Sequence, residues 1–194
     1  MTYLLAPERY EAEGFVLRSY HPGDGPLLAE ATNASYDHLK RFMPWAKPHQ
    51  TDEEAEILAR QFRGRWLLAQ DFVIAIVSPD GQRLLGGCGY HLREGDLSQS
   101  CAEVGMWIRA SAAGQGLGTQ ALRALLRWGL SDAWPWTRVT WRSDEANLAS
   151  QRTALRAGME HEGFLRDLLT DHHGQRVGRH CYAALRGRWR DPIP

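Results

Sequence analysis

The stretch from Cys101 to Gly129 constrains this chain most. Residues 101–108 (CAEVGMWI) alternate: Ala102, Val104, Met106 and Ile108 fall on one face, Glu103, Gly105 and Trp107 on the other. That period of two predicts a β-strand. After Ala112-Ala113 comes the run Gly114-Gln115-Gly116-Leu117-Gly118-Thr119, and Leu122, Leu125, Leu126 and Gly129 then recur at helical spacing. A strand that passes through alternate glycines into a helix makes an anion cradle. The first-turn N–H groups of a helix lack internal partners, and the helix dipole adds about half a positive charge there. Glycines leave room for a phosphate to approach, and the Thr119 hydroxyl adds a donor. A tight turn packed on a sheet would use similar glycines. The Lys-Ser/Thr ending of a nucleoside-triphosphate loop is absent, and the glycine spacing is not that of a dinucleotide fingerprint.

The remaining elements are read around this unit. Residues 15–20 predict a strand, followed by the breaker run His21 to Pro26. Asp24 or a neighbour is placed to cap a helix running to about Phe42. Pro44 and Pro48 bracket a loop holding Trp45, and Thr51 followed by Glu53 and Glu54 predicts a second helix start. Residues 72–77 and 83–92 flank Ser78-Pro79-Asp80-Gly81, which is hairpin chemistry. Residues 137–141 predict a strand, Asn147 opens a helix that ends near Gly158, and residues 164–170 and 176–185 suggest an antiparallel pair. Helices divide the strands, yet hairpins occur too. The fold class expected is therefore α/β with a mixed sheet.

Composition narrows the function. The 194 residues suit one domain, and 43% hydrophobic residues suffice for a core. The formal net charge of +0 offers no general field for nucleic acid or an anionic membrane, so neither is expected as a partner. No apolar run approaches the roughly 18 residues of a spanning helix. Glu8, Glu11 and Glu13 in the N-terminal stretch speak against a signal peptide. Cys88, Cys101 and Cys181 are widely spaced and odd in number, which predicts reduced thiols and a cytoplasmic setting. His172-His173, with His180 and Cys181, lack metal-ligand spacing, so no metal is expected. Eight tryptophans are more large apolar surface than one small core easily absorbs, and a homodimer is expected on that ground. The tail from Asp191 is expected to be loose, and Arg186, Arg188 and Arg190 to form a solvated face.

Residues 103–122 (EVGMWIRASAAGQGLGTQAL) and 147–158 (NLASQRTALRAG), with FMPWAKPHQTDEEA early and EGFLRD late, resemble the GCN5-related N-acetyltransferase superfamily (GNAT). The nearer likeness is to its ribosomal-protein N-acetyltransferase branch, the RimJ/RimL type, and it covers roughly residues 15–186. The resemblance implies an N-acetyltransferase domain over 15–187, with an extension at 1–14 and a tail at 188–194. It implies a mostly antiparallel central sheet, flanked by helices and splayed after the strand at 101–108. It also implies transfer of an acetyl group from acetyl-CoA to a primary amine by direct attack, the acceptor being a peptide N-terminal α-amine or a small-molecule amine.

On that resemblance, Gly114, Gln115, Gly116, Leu117, Gly118 and Thr119 would bind the cofactor's pyrophosphate. Backbone N–H groups at Trp107 and Ile108 would face developing oxyanion charge. Asn147 would hold the pantetheine arm while also serving as an N-cap. Ser150 would donate to the departing sulfur, the alternative being a first-turn serine bonded to its own backbone. Glu103 is the candidate proton acceptor or substrate anchor, the alternative being a surface carboxylate paired with an arginine. Trp45 would overhang the acceptor, unless it folds into the core between the first helices. His91 is a further candidate base. Two positions depart from the pattern. Ala113 stands where Gln or Arg usually begins the loop, and Gly178 where the branch often carries an acid. A CoA-binding regulatory or interaction module without catalysis is the second reading. Glu103, Asn147 and Ser150 together favour the enzyme, whereas Ala113 favours the module.

Overall fold

The structure is a computed structural model that describes residues 4–171 and 174–192. The strands and helices in chain order are β1 (Arg9–Ala12), β2 (Phe15–Ser19), α1 (Gly25–Asn33), α2 (Tyr36–Leu39), α3 (Asp52–Leu67), β3 (Phe72–Val77) and β4 (Leu84–His91). Then follow β5 (Cys101–Ile108), α4 (Leu117–Gly129), β6 (Arg138–Asp144), α5 (Leu148–Arg156), β7 (Glu160–Thr170) and β8 (Arg176–Leu185). The strands form one mixed sheet in the order β1-β2-β3-β4-β5-β6-β8-β7, as the alternation of hairpins and helices predicts. The chain divides into two compact units. One holds the residues up to His91 with Met106–Leu117, the other Leu92–Gly105 with the residues from Gly118 onward.

In the first unit β1, β2, β3 and β4 pair antiparallel in succession. The segment expected as an extension thus carries a strand, turned back onto β2 at Gly14, whose φ of +81° favours glycine. The β3–β4 turn uses Asp80, which accepts from Gln82 N at 3.0 Å and Ser78 Oγ at 2.5 Å. Asp24 does not cap α1 with its side chain. Its carboxylate instead takes both Nη atoms of Arg18 at 2.7 and 2.8 Å and the His21 N–H at 2.7 Å. Burial works to raise that carboxyl, but these donors and the Arg18 charge hold it below the usual range.

The first helix stops at Asn33, well short of Phe42. Asn33 exchanges hydrogen bonds with the Gln50 backbone (2.8 and 2.9 Å), and Ser35 turns inward at 1% exposure. Thr51 and Glu54 complete the capping box at the start of α3. Small residues let α1 and α3 approach closely: a Cβ on Gly25 would lie 2.7 Å from the Glu56 backbone. The core of this unit gathers Val16, Tyr20, Leu28, Ala55, Ala59 and Leu84, with Phe62 and Trp107 packed on it.

In the second unit β5 runs parallel to β6, in register from Cys101↔Arg138 to Glu103↔Thr140. β6 continues to Asp144 against β8, and β7 closes the edge antiparallel to β8. Leu122, Leu125 and Leu126 of α4 are fully buried, as their spacing predicts. Trp128 meets Trp134 edge-on at 5.5 Å, and Trp134 stacks on Trp136 at 5.7 Å. The tryptophans are therefore a poor motive for a dimer, because Trp66, Trp128, Trp134, Trp136 and Trp141 are all buried inside the chain.

The tail is not loose as far as Pro192. Asp191 pairs with Arg123 at 2.7 Å and with Arg127, and Trp189 Nε1 donates to Ala157 O at 2.9 Å. Nor is Arg186 merely solvated, since it donates to the carbonyls of Ser131 (2.7 Å) and Trp134 (2.5 Å). Cys88, Cys101 and Cys181 are all free thiols, and burial pushes that of Cys88 strongly up. His172 and His173 lie outside the described residues. No described helix is long and apolar enough to cross a membrane.

Candidate active site

In the first unit the C-terminal end of β5 is set by two glycines of β4. A Cβ on Gly86 would fall 2.3 Å from Trp107 O, and one on Gly87 would fall 2.5 Å from Trp107 Nε1. Glycine at both positions is what lets the Trp107 indole and the Ile108 backbone lie against β4. Arg109 N then donates to Leu85 O at 2.8 Å. Trp45 is half exposed and meets Trp107 edge-on at 6.0 Å. It does not fold into the core between the first helices.

The approach to the glycine loop is pinned from α1. Arg109 holds the Glu30 carboxylate with both Nη atoms and places Nε 3.1 Å from Ser111 Oγ. This hydrogen bonding keeps the Glu30 carboxyl below its usual range. Ala110 N donates to Ser35 Oγ at 3.1 Å, and Gln115 Nε2 donates to Ser111 O at 2.9 Å. Gly114 and Gly116 have φ of +76° and +88°, and a Cβ on either would meet nothing within 4 Å. Backbone conformation, not packing, therefore demands glycine at both. The loop is exposed from Gly114 to Gly116, and Leu117, Gly118 and Thr119 form the first turn of α4. Amide donors of that turn have no intrahelical acceptor. Open space over a left-handed glycine backbone fits a pyrophosphate group. Ala113, extended at φ −70° and ψ 151°, adds no polar atom.

In the second unit Asn147 caps α5, its side chain accepting from Ser150 N at 3.1 Å. The Ser150 hydroxyl is not turned onto its own backbone. Its Oγ accepts from Trp141 Nε1 at 3.0 Å. An oxygen that accepts from an indole N–H keeps its own O–H free to donate outward.

Glu103 is buried, its side chain 3% exposed, so it is no surface carboxylate. Oε1 takes Arg93 Nη1, while Oε2 lies 3.4 Å from Arg142 Nε and has no hydrogen-bond partner. Arg142 in turn donates to Glu94. No described hydrogen bond joins Glu103 to Asn147 or Ser150. Arg93, Arg142 and the Gly86-Gly87 pair escape a sequence reading. Two adjacent glycines inside a strand were a usable signal, whereas nothing local ties Arg142 to Glu103, 39 positions away. His91 Nδ1 lies 2.7 Å from Asp71 Oδ1.

The family model described as "Acetyltransferase (GNAT) domain" matches residues 15–160. Among solved structures, RimL, a ribosomal L7/L12 alpha-N-protein acetyltransferase in complex with coenzyme A, aligns with a TM-score of 0.80 at 18% identity, over 92% of this chain and 98% of that one. The microcin C7 self-immunity acetyltransferase MccE, in complex with acetyl-CoA and AMP, aligns at 0.79 and 18%, over 90% and 93%. A ribosomal-protein-S5-alanine acetyltransferase from Vibrio fischeri aligns at 0.77 and 17%, over 95% and 100%. At these identities the likeness is one of fold. No curated protein sequence matches the chain.

Proposed function

The chain belongs to the GNAT acetyltransferase family, and from that premise we propose that it transfers the acetyl group of acetyl-CoA to a primary amine, with a peptide N-terminal α-amine as the leading acceptor. The observation that carries the reading is the Gly114–Thr119 loop, open over two left-handed glycines and leading into the first turn of α4. Its amides would hold the pyrophosphate. Acetyl-CoA supplies the activated acetyl group. In direct attack the amine nitrogen bonds to the acetyl carbon, the carbon–sulfur bond breaks, and the nitrogen gives up a proton.

The residues divide these tasks. Glu103 would take that proton, directly or through a water, or anchor the ammonium before it is lost. The free Ser150 O–H would serve the departing sulfur, and Asn147 the pantetheine arm. Trp107 and Ile108 would present backbone donors to the oxyanion. Trp45, half exposed beside Trp107, would flank the acceptor. The acceptor matters energetically. At pH 7 an α-amine, with a pKa of about 7.7–8.0, costs about 1 kcal/mol to deprotonate, and a lysine, at about 10.4, costs about 4–5 kcal/mol.

Purified protein incubated with acetyl-CoA and a panel of peptides, polyamines and amino acids, with product masses read, tests the proposal. Acetylation of at least one α-amine is expected. Binding of acetyl-CoA without transfer to any amine would instead support the non-catalytic module.

A homodimer keeps a motive other than tryptophan count. The edge strand β7 exposes Phe164, Leu165 and Leu168, and an unprotected apolar edge invites a second copy. Sedimentation at tens of micromolar should show a dimer; a monomer removes the idea.

A further inference from the structure

One face of β6 carries a row of charge that the proposed chemistry leaves unexplained. Arg138, Thr140 and Arg142 alternate along the strand, so they point the same way. Glu103 pairs with Thr140 in register and shares that face. Arg138 and Arg142, with Glu94, Glu162, Cys181 and Tyr182 among the other walls, line a cleft of about 220 Å³. Both arginines already have carboxylate partners: Glu162 takes both Nη atoms of Arg138, and Arg142 donates to Glu94 while its Nε lies 3.4 Å from Glu103 Oε2. Arg138 pairs with Glu162 at side-chain exposures of 35% and 40%, and Arg142 pairs with Glu94 at 31% and 37%. A carboxylate arriving at Arg138 would exchange one two-oxygen fork for another, at a partly exposed position.

Next to this row sits Glu103, 3% exposed, with Oε2 lacking any hydrogen-bond donor. A buried acceptor without a donor is costly, and Arg142 Nε at 3.4 Å does not supply one. An ammonium or amine N–H would. The adjoining cleft is lined by Thr140, the register partner of Glu103, and by Arg142, its ion-pair neighbour, and it offers the Arg138 guanidinium fork, suited to a carboxylate.

We infer that the acceptor is an amine that carries a carboxylate, its nitrogen lying at Glu103 Oε2 and its carboxylate displacing Glu162 from Arg138. This rests on the amine-acetyltransferase reading and narrows it. The carboxylate has two sources: an acidic residue at the start of a peptide, or the α-carboxylate of a free amino acid.

Steady-state kinetics with two matched sets decides. One set is C-terminally amidated pentapeptides with Asp, Asn or Lys as second residue, and the other is free serine against serinamide. Within at least one set the carboxylate-bearing acceptor should show about tenfold higher kcat/KM, through KM; the set in which this happens identifies the source. Arg138→Gln should bring that ratio towards one. Glu162→Gln, which frees Arg138 of its competitor, should raise the ratio, a gain that misfolding cannot produce. Equal kcat/KM in both sets, or a preference that neither substitution alters, overturns the inference. Transfer without preference leaves the acetyltransferase reading standing, whereas no transfer to any amine removes that reading itself.

Discussion

Glu103→Gln is expected to lower kcat by about 10²–10⁴-fold with a lysine-like acceptor, the range typical of a positioned base, while leaving the Kd for acetyl-CoA nearly unchanged. The drop should be smaller with an α-amine, which is easier to deprotonate. In both cases it should be largest near or below neutral pH and shrink as the amine loses its own proton. The substitution preserves shape. It also leaves no buried cation stranded, because Arg93 is 52% exposed and Arg142 31% exposed with Glu94 as a second partner. A melting temperature close to the parent is therefore expected. The two roles open to Glu103 separate in the same data. An anchor for a cationic acceptor gives a raised KM with kcat intact at saturation, whereas a base lowers kcat. Kinetics from pH 6 to 9 decide, and an unchanged rate throughout leaves Glu103 only its ion pairs with the two arginines.

Gly116→Val should weaken acetyl-CoA binding by about 100-fold or more. The backbone there has φ +88°, a region that a β-branched residue enters only under strain. The loop would have to re-form in another conformation and turn its amides away. Losing two charge-assisted hydrogen bonds to phosphate, at about 1.5 kcal/mol or more each, amounts to that factor. Nothing lies within 4 Å of the added Cβ, so packing of the free protein should be little disturbed. Calorimetric titration beside a thermal melt makes the measurement. Equal affinity would remove the loop as the pyrophosphate site, and a collapsed melt would redirect the test to Gly116→Ala.

Several features were legible because their causes lie within a few residues. The capping box is a contact between Thr51 and Glu54, so Thr-x-x-Glu announces it. β5 reads from its period of two, and α4 from leucines at helical spacing. The Asn147 cap follows from a side chain that reaches an amide three residues on. Misreadings arose where a distant partner intervened. The run towards Phe42 has helical character, yet Asn33 is taken by the Gln50 backbone and Ser35 by Ala110 N. Asp24 looks like a cap, yet Arg18 and the His21 N–H claim its carboxylate.

By itself the sequence determined the strand, the glycine loop and the helix that follows it, since these rest on local backbone preference and on which face of an element is apolar. Tertiary structure alone decided that Glu103 is a buried carboxylate between Arg93 and Arg142, that Ser150 Oγ accepts from the Trp141 indole, and that Trp107 lies over Gly86 and Gly87. Periodicity says which way a side chain points but not which strand becomes its neighbour. The parallel pairing of β5 with β6 joins residues 37 positions apart, and only that pairing turns Glu103 from one acid in an alternating strand into a carboxylate beside a row of arginines.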